Sequence, residues 1–298
     1  MKIGTRGSQL ARWQAEWVRD RLATLGVRAE LVVIKTQGDT DVDRPLHEMD
    51  GKGFFTKEIE DALLDERIDV AVHSLKDLPT SLPPGLALAA IPTRHDPREA
   101  LVNGKSLQSL PKGTRVGTSS LRRVAQVRFL RPDLEVVPLR GNVPTRVRKV
   151  EGHDGLDAAL LAIAGLERLG LGAKGTLVDP LDIMPAPGQG ALGIEIRADD
   201  KKTRAVLEQL HDRGSAGAVT AERALLSALG GGCQAPVAAW VEMRETGNGE
   251  RLYGRVTDRD GAVQLTASAG LDRKKPEAAG EQVARLLESE GAASLLAR

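Results

Sequence analysis

Short apolar runs alternate with amphipathic ones from the first residues of this chain, and that alternation limits the fold more than any other feature. Lys2 to Thr5 reads as a strand and Arg6-Gly7-Ser8 as a turn. Gln9 to Leu25 reads as a helix with Leu10, Trp13, Trp17 and Leu22 near one face. Glu30 to Gln37 reads as a second strand, Phe54 to Asp65 as a helix, and Ile68 to His73 as a third strand running into Ser74-Leu75-Lys76-Asp77. Gly38 to Lys52, polar and glycine-containing, reads as a loop. Such strand–helix–strand alternation predicts a largely parallel sheet. It restarts near Arg94, with strands ending at Gly117, over Glu135 to Leu139 and over Leu156 to Ile163, and helices over Ser120 to Arg131, Asn142 to Val150 and through Leu169. Two sister α/β domains are expected. Pro185 to Gly190 marks the crossing back, and Ala191 to Arg197 a strand returning to the first domain.

From about Ala216 the texture changes. A helix leads to Gly230-Gly231-Gly232-Cys233-Gln234-Ala235-Pro236, three alternating runs follow (Val237–Met243, Arg251–Asp258, Val263–Ala269), and a helix covers Pro276 to Ser289. That predicts a small α+β domain with an antiparallel three-stranded sheet. The expected division is residues 1–92 with 191–212, then 93–190, then 213–298, and 298 residues suffice for three cores. With aromatics at 2%, those cores must be built from Leu, Val, Ala and Ile.

Composition narrows the function by exclusion. The 42 basic and 41 acidic residues nearly cancel, so nothing global calls for nucleic acid or an anionic membrane. No apolar run approaches a membrane span, and Met1-Lys2-Ile3-Gly4 begins as strand rather than as a signal peptide. Isolated cysteine use fits a reducing compartment, so the cytoplasm is expected. One cysteine and five histidines offer no metal-ligand spacing.

Two strand-to-helix turns carry the same chemistry. Thr5-Arg6-Gly7-Ser8 and Gly117-Thr118-Ser119-Ser120 put glycine and hydroxyls where a helix begins, with free amides and the positive end of the helix dipole facing an anion. Capping alone would explain the hydroxyls. The second turn, however, lies in a cationic stretch from Arg115 to Lys149 that includes Arg122, Arg123, Arg140 and Arg146, residues suited to clamp carboxylate or phosphate. Phe129 is its one aromatic, which leaves no stacking platform for single strands; a small, multiply charged organic anion fits better. His73-Ser74-Leu75-Lys76-Asp77 ends a buried strand, where open α/β sheets carry site residues. Cys233 reads either as an apolar filler of its glycine loop or as an attachment point.

Taken in order along the chain, these pieces resemble the hydroxymethylbilane synthase (porphobilinogen deaminase) family. The resemblance rests on Thr5-Arg6-Gly7-Ser8 with Trp13-Gln14, Gly51-Lys52-Gly53-Phe54-Phe55-Thr56-Lys57-Glu58 and His73-Ser74-Leu75-Lys76-Asp77-Leu78-Pro79. It continues through Asp96-Pro97-Arg98, Gly117 to Arg123, Leu139-Arg140-Gly141-Asn142-Val143 with Thr145-Arg146, and Ala164-Gly165-Leu166 with Arg168. Gly188-Gln189-Gly190-Ala191 and Gly231-Gly232-Cys233-Gln234 complete it. Pro144 in the arginine turn, Thr93, His95, and Glu99 where Asp is commoner are departures, and beyond Pro236 the match is loose.

The resemblance implies two domains like type II periplasmic binding proteins around a cleft, plus a third that carries a dipyrromethane cofactor by a thioether to Cys233. It implies that four porphobilinogen molecules are joined head to tail onto that primer, each losing ammonia, and that hydrolysis releases 1-hydroxymethylbilane for the next enzyme of the tetrapyrrole pathway. By the match, Asp77 is the catalytic carboxylate, facing the pyrrole nitrogens and the cation formed as ammonia leaves. Arg6, Ser8, Lys76, Thr118, Ser119, Ser120, Arg122, Arg123, Arg140, Arg146 and Arg168 would hold acetate and propionate groups, with Ser74 and Gln189 among the binding residues. Gln14 and Phe55 would border the incoming ring. A monomer is implied. A solute-binding protein without chemistry and a thiol hydrolase using Cys233 are the competing readings. The first is disfavoured by Asp77 and the cysteine loop, the second by the lack of a base in a motif.

Overall fold

A computed structural model describes residues 1–36, 56–231, 235–242 and 249–297. Among these the chain divides into two compact units, Met1–Arg94 with Ala191–Ala216, and His95–Gly190 with Gly217–Arg298. Each is built on a five-stranded sheet, and the second also holds a separate three-stranded one.

The first unit runs β1 (Lys2–Thr5), α1 (Gln9–Thr24), β2 (Glu30–Val33), α2 (Lys57–Leu64), β3 (Val70–Ser74), a 3₁₀ turn (Leu75–Asp77) and β4 (Leu86–Ala90). Its sheet has the order β2-β1-β3-β10-β4, where β10 is Leu192–Arg197. The pairings β1–β2 and β1–β3 are parallel, whereas β10 runs antiparallel to both β3 and β4. The expected, largely parallel sheet is therefore half antiparallel, because β10 enters from a distant part of the chain and is not bound by the crossover rule for consecutive strands. Strand periodicity divides the sheet's residues cleanly. Val70, Val72, Ile194 and Ile196 pack with Ala15, Val18 and Leu22 of α1, while Ala71 packs on the other face with Ile59, Ala62 and Leu63 of α2. Asp200 caps α6 (Lys201–Leu207, counting α3 to α5 below) by accepting from the Thr203 amide at 3.0 Å.

The second unit repeats the layout with β5 (Glu99–Val102), β6 (Arg115–Gly117), α3 (Leu121–Leu130), β7 (Glu135–Val137), α4 (Val143–Glu151), β8 (Ala158–Ala162), α5 (Ile163–Arg168) and β9 (Gly175–Leu177). The order is β7-β6-β8-β5-β9, with β6 parallel to β7 and β8, and β5 antiparallel to β8 and β9. Parallel and antiparallel pairs fall in the same places as in the first sheet. Strands β4, β5 and β9 and helix α6 went unread in the sequence.

Helix α7 (Arg213–Ala228) and strands β11 (Val237–Glu242), β12 (Arg251–Thr257) and β13 (Gln264–Gly270) follow, then α8 (Pro276–Ser289) and α9 (Ala292–Leu296). The strands form the expected antiparallel sheet, β11-β12-β13. Val237, Ala239, Val241, Leu252 and Val256 face Leu225, Val283 and Leu287 of the helices. Gly280 permits that approach, since a Cβ there would lie 2.5 Å from the Ala221 carbonyl oxygen. Arg255 joins this sheet to the rest of the unit, donating to Gln126 Oε1 at 2.9 Å and to the Leu181 carbonyl at 2.8 Å; burial lowers its pKa to about 10.

The segment Pro185–Gly190 is fixed by a carboxylate with no exposed surface. Glu222 of α7 accepts from the Gly188 amide at 2.8 Å and from the Val241 amide at 3.0 Å. Glu222→Ala orphans both amides, so it is expected to lower stability by at least about 2 kcal/mol. Urea unfolding checks this as a lower midpoint at unchanged slope; an unshifted midpoint would show the segment to be held elsewhere.

Candidate functional site

In the first unit, strands β1 and β3 run parallel and end side by side, which brings the turns after them together. Ser8 caps α1 with extended backbone (φ −66°, ψ 148°), and its Oγ accepts from the Ala11 amide at 3.3 Å. The Thr5 hydroxyl donates to the Ala11 carbonyl at 2.9 Å, pinning the same turn. On α1, the buried Gln14 donates from Nε2 to Ser74 Oγ at 2.7 Å, tying the helix to the end of β3. The 3₁₀ turn then carries Lys76, half-buried, and Asp77, exposed. A pocket at these strand ends is lined by Arg6, Ser8, Gln14, His73, Ser74 and Asp77, with Thr56 and Ile59 from the start of α2. Arg6, Ser8, Gln14, Ser74 and Asp77 thus line one pocket; Lys76 shares the Asp77 turn without lining it. Phe55 lies outside the described residues, as do Cys233 and the loop 38–53.

The predicted anion-binding residues of the second unit occupy three kinds of place. Thr118 is buried and Ser120 caps α3 with extended backbone (φ −85°, ψ 117°), but without a side-chain capping bond. Ser119 links strand ends, accepting from the Leu139 amide at 3.0 Å and donating to the Leu139 carbonyl at 2.8 Å. Arg140 and Arg146 are half-buried around the start of α4; Asn142 caps that helix by accepting from the Thr145 amide at 2.9 Å, and Arg146 Nε donates to the Gly141 carbonyl at 2.7 Å.

Arg122, Arg123 and Arg168 lie deeper, each 5–6% exposed. Arg122 and Arg123 reach the two oxygens of Glu99, each at 2.7 Å, and donate further to the Met184 and Leu160 carbonyls at 2.5 and 3.1 Å. Burial lowers the Arg122 pKa, against the opposing pull of Glu99. Arg168 donates to the Gly190 carbonyl at 2.7 Å, and its burial brings its pKa to about 10. Gly190 has φ +85°, and a Cβ there would stand 2.5 Å from the His95 carbonyl oxygen, so this close approach needs glycine. Gln189, fully buried, donates to the Pro97 carbonyl at 2.8 Å.

The sequence reading passed over the carboxylates that organise these groups. Glu99 was only a departure from the commoner Asp; it is in fact the fully buried partner of two arginines. Glu195, also without exposed surface, lies 3.0 Å from His73 Nε2 through its Oε2. Both are acidic residues inside otherwise apolar strands, Glu-Ala-Leu-Val and Leu-Gly-Ile-Glu-Ile, and that exception was the available signal.

Residues 1–205 match the family described as porphobilinogen deaminase, dipyromethane cofactor binding domain, and residues 216–289 match the porphobilinogen deaminase C-terminal domain. The chain belongs to the porphobilinogen deaminase family. It is 49% identical over 302 residues to porphobilinogen deaminase of Syntrophotalea carbinolica, covering 100% of this chain and 95% of that one. It is also 49% identical to the enzyme of Moorella thermoacetica, covering 99% and 95%. Among solved structures, a periplasmic substrate-binding protein of an ABC transporter from Coxiella burnetii aligns with TM-score 0.42 at 13% identity, covering 72% of this chain and 94% of that one. The methionine-binding protein MetQ aligns with TM-score 0.43 at 15% identity, covering 70% and 89%.

The donor set suits the cofactor that the family binds. The cofactor's pyrroles carry acetate and propionate side chains, and each unit by itself holds donors of the kind those groups need: Arg6 and Ser8 at the start of α1, and Arg140 and Arg146 around the start of α4. The Glu99 pair sets the strongest stability expectation here. Glu99→Ala leaves two buried guanidinium charges uncompensated and should cost about 3–5 kcal/mol. Thermal or urea unfolding would read that loss, and wild-type stability in the variant would mean that the arginines find other partners.

Proposed function

We propose that this chain is a transferase that joins four porphobilinogen molecules head to tail with loss of ammonia, then releases 1-hydroxymethylbilane by hydrolysis, in tetrapyrrole biosynthesis. The observation that carries the reading is the full-length family match, whose motif residues Arg6, Ser8, Gln14, Ser74 and Asp77 meet at one pocket. When bound, the dipyrromethane supplies the primer from which the chain of pyrroles grows.

Each addition breaks the C–N bond of the substrate's aminomethyl group, and the departing nitrogen leaves as ammonia. A C–C bond forms, and the attacked ring carbon loses its proton. Asp77, exposed at the pocket, is placed to stabilise the positive charge that develops as ammonia leaves and to accept that ring proton. Gln14 and Ser74, bonded to each other, present a fixed polar wall beside it, and Phe55 would border the incoming ring. Arg6, Ser8, Lys76, Thr118, Ser119, Ser120, Arg140 and Arg146 would bind acetate and propionate groups. Arg122, Arg123, Arg168 and Gln189 would act from deeper positions, holding the turns that present those donors.

We assign Cys233 as the thioether anchor of the primer. The same reading divides the chain into three domains, residues 1–92 with 191–212, 93–190 and 213–298, carrying Asp77, the arginines and Cys233 respectively. It places a monomer in the cytoplasm that hands its product to the next enzyme of the pathway. Among the described residues, no helix is long and apolar enough to cross a membrane.

Intact mass under denaturing conditions tests the anchor. Active protein should exceed its sequence mass by a covalent dipyrrole, and Cys233→Ser should lose both the added mass and turnover. Active material of unmodified mass would overturn the assignment. For the carboxylate, Asp77→Asn should bind substrate yet lose at least about a hundredfold in turnover; near-normal tetrapyrrole release would exclude its role.

A further inference from the structure

Strand β12 touches two parts of the second unit. At Thr257 its amide donates to the Pro236 carbonyl at 3.3 Å, and Pro236 is the exit of the loop that carries Cys233. Two residues earlier, Arg255 leaves the sheet on the face opposite to Gly254 and Val256, away from α7 and α8, and reaches α3. Arg255 is 5% exposed, and its guanidinium meets only neutral acceptors: Gln126 Oε1 at 2.9 Å, the Asp182 and Leu181 carbonyls at 3.2 and 2.8 Å, and the Thr266 hydroxyl at 3.1 Å. A buried cation without a carboxylate in contact is a costly way to join two surfaces, and apolar side chains of similar volume would do it for less. What the guanidinium adds is direction, because its rigid planar fork fits few arrangements of acceptors.

Gln126 carries that direction to the start of α3. Its amide, in a residue 1% exposed, uses every hydrogen-bonding position it has. Oε1 accepts from Arg255 and from the Met184 amide at 2.8 Å, while Nε2 donates to the Met184 carbonyl at 3.1 Å and the Arg122 carbonyl at 3.3 Å. With donors facing one end and acceptors the other, the side-chain amide has a single orientation. The Met184 carbonyl also accepts from Arg122 Nη1 at 2.5 Å, and Arg122 Nη2 is held by Glu99 at 2.7 Å. Arg255, Gln126, Met184 and Arg122 are thus links of one buried chain. It ends in the first turn of α3, directly after Thr118, Ser119 and Ser120.

We propose that Arg255 and Gln126 are positioning residues that fix the exit of the cysteine loop relative to the first turn of α3, and so the primer's anchor relative to donors for its carboxylates. The proposal rests on the reading of Cys233 as the anchor and of Thr118–Ser120 as a carboxylate-binding turn. Both residues act through Met184 and Arg122 rather than on the reacting atoms.

A double-mutant cycle reads the link without reference to activity. Arg255→Leu and Gln126→Leu should each lower the urea midpoint, and the double variant should lose less than the two single losses together, because both include the same contact. Strict additivity would break the chain at its middle and overturn the proposal. For the kinetic arm, kcat is measured per mole of protein carrying the covalent dipyrrole, counted by intact mass, so that lost folding or loading is not read as lost turnover. Arg255→Leu should lower that kcat about tenfold or more with KM little changed, since the Asp77 pocket belongs to the other unit. Arg255→Lys keeps the charge without the fork; it should lie closer to wild type in stability, still show most of the kcat loss, and carry the test alone where the Leu variant does not fold. Wild-type kcat per loaded molecule in the Lys variant, or in a folded Leu variant, would reduce Arg255 to a staple between surfaces and overturn the proposal. A raised KM at unchanged kcat would overturn it too, by placing the effect on substrate binding. Active wild-type protein with no added mass would remove the anchor and the proposal with it, a failure distinct from an unchanged kcat in loaded protein.

Discussion

A buried carboxylate on the strand that runs against its neighbours is the constraint on which each large unit depends. Glu99 lies on β5 and Glu195 on β10, and these are equivalent strands: each is fourth in its sheet and antiparallel to the central strand beside it. Neither residue has exposed surface. An ion so placed is tolerable only if cations and donors meet it at close range, so each Glu dictates what must stand around it. Glu99 draws both arginines of the first turn of α3 inward, which fixes where that helix begins and how the Thr118–Ser120 turn faces. Glu195 draws His73, which fixes where β3 ends.

The two solutions differ because the partners differ. A guanidinium offers several donors, so Arg122 and Arg123 meet Glu99 and still reach the Met184 and Leu160 carbonyls, joining a helix, two strands and the Pro185–Gly190 approach in one network. Imidazole has one nitrogen on each side of its ring, and His73 Nε2 lies 3.0 Å from Glu195 Oε2.

Much of this architecture was legible in the sequence because periodicity reports which face of an element is buried. The β1–α1 turn, the strand leading to Asp77, the arginine-rich turns and the three C-terminal strands all followed from it. Periodicity does not report partners. Nothing local to Leu192–Arg197 says that it will insert antiparallel between β3 and β4, and Glu99–Val102 pairs for the same reason with distant strands, its nearest partner in sequence being Ala159 opposite Val102. Arg122 and Arg123 show the limit most clearly. An arginine in the first turn of a helix looks the same in sequence whether or not a buried glutamate stands beside it, and only the position of Glu99 across the sheet shows that one does.

That separation sorts the cationic residues by what they can do. Arg122, Arg123 and Arg168 are enclosed by carbonyls and by Glu99, and moving one toward a ligand would leave a buried acceptor or charge behind, at a cost of several kcal/mol. Arg6, Arg140 and Arg146 are half-buried, at the ends of strands and the starts of helices. Asp77, exposed itself, follows a strand end that is held on both faces, by Gln14 on Ser74 and by Glu195 on His73.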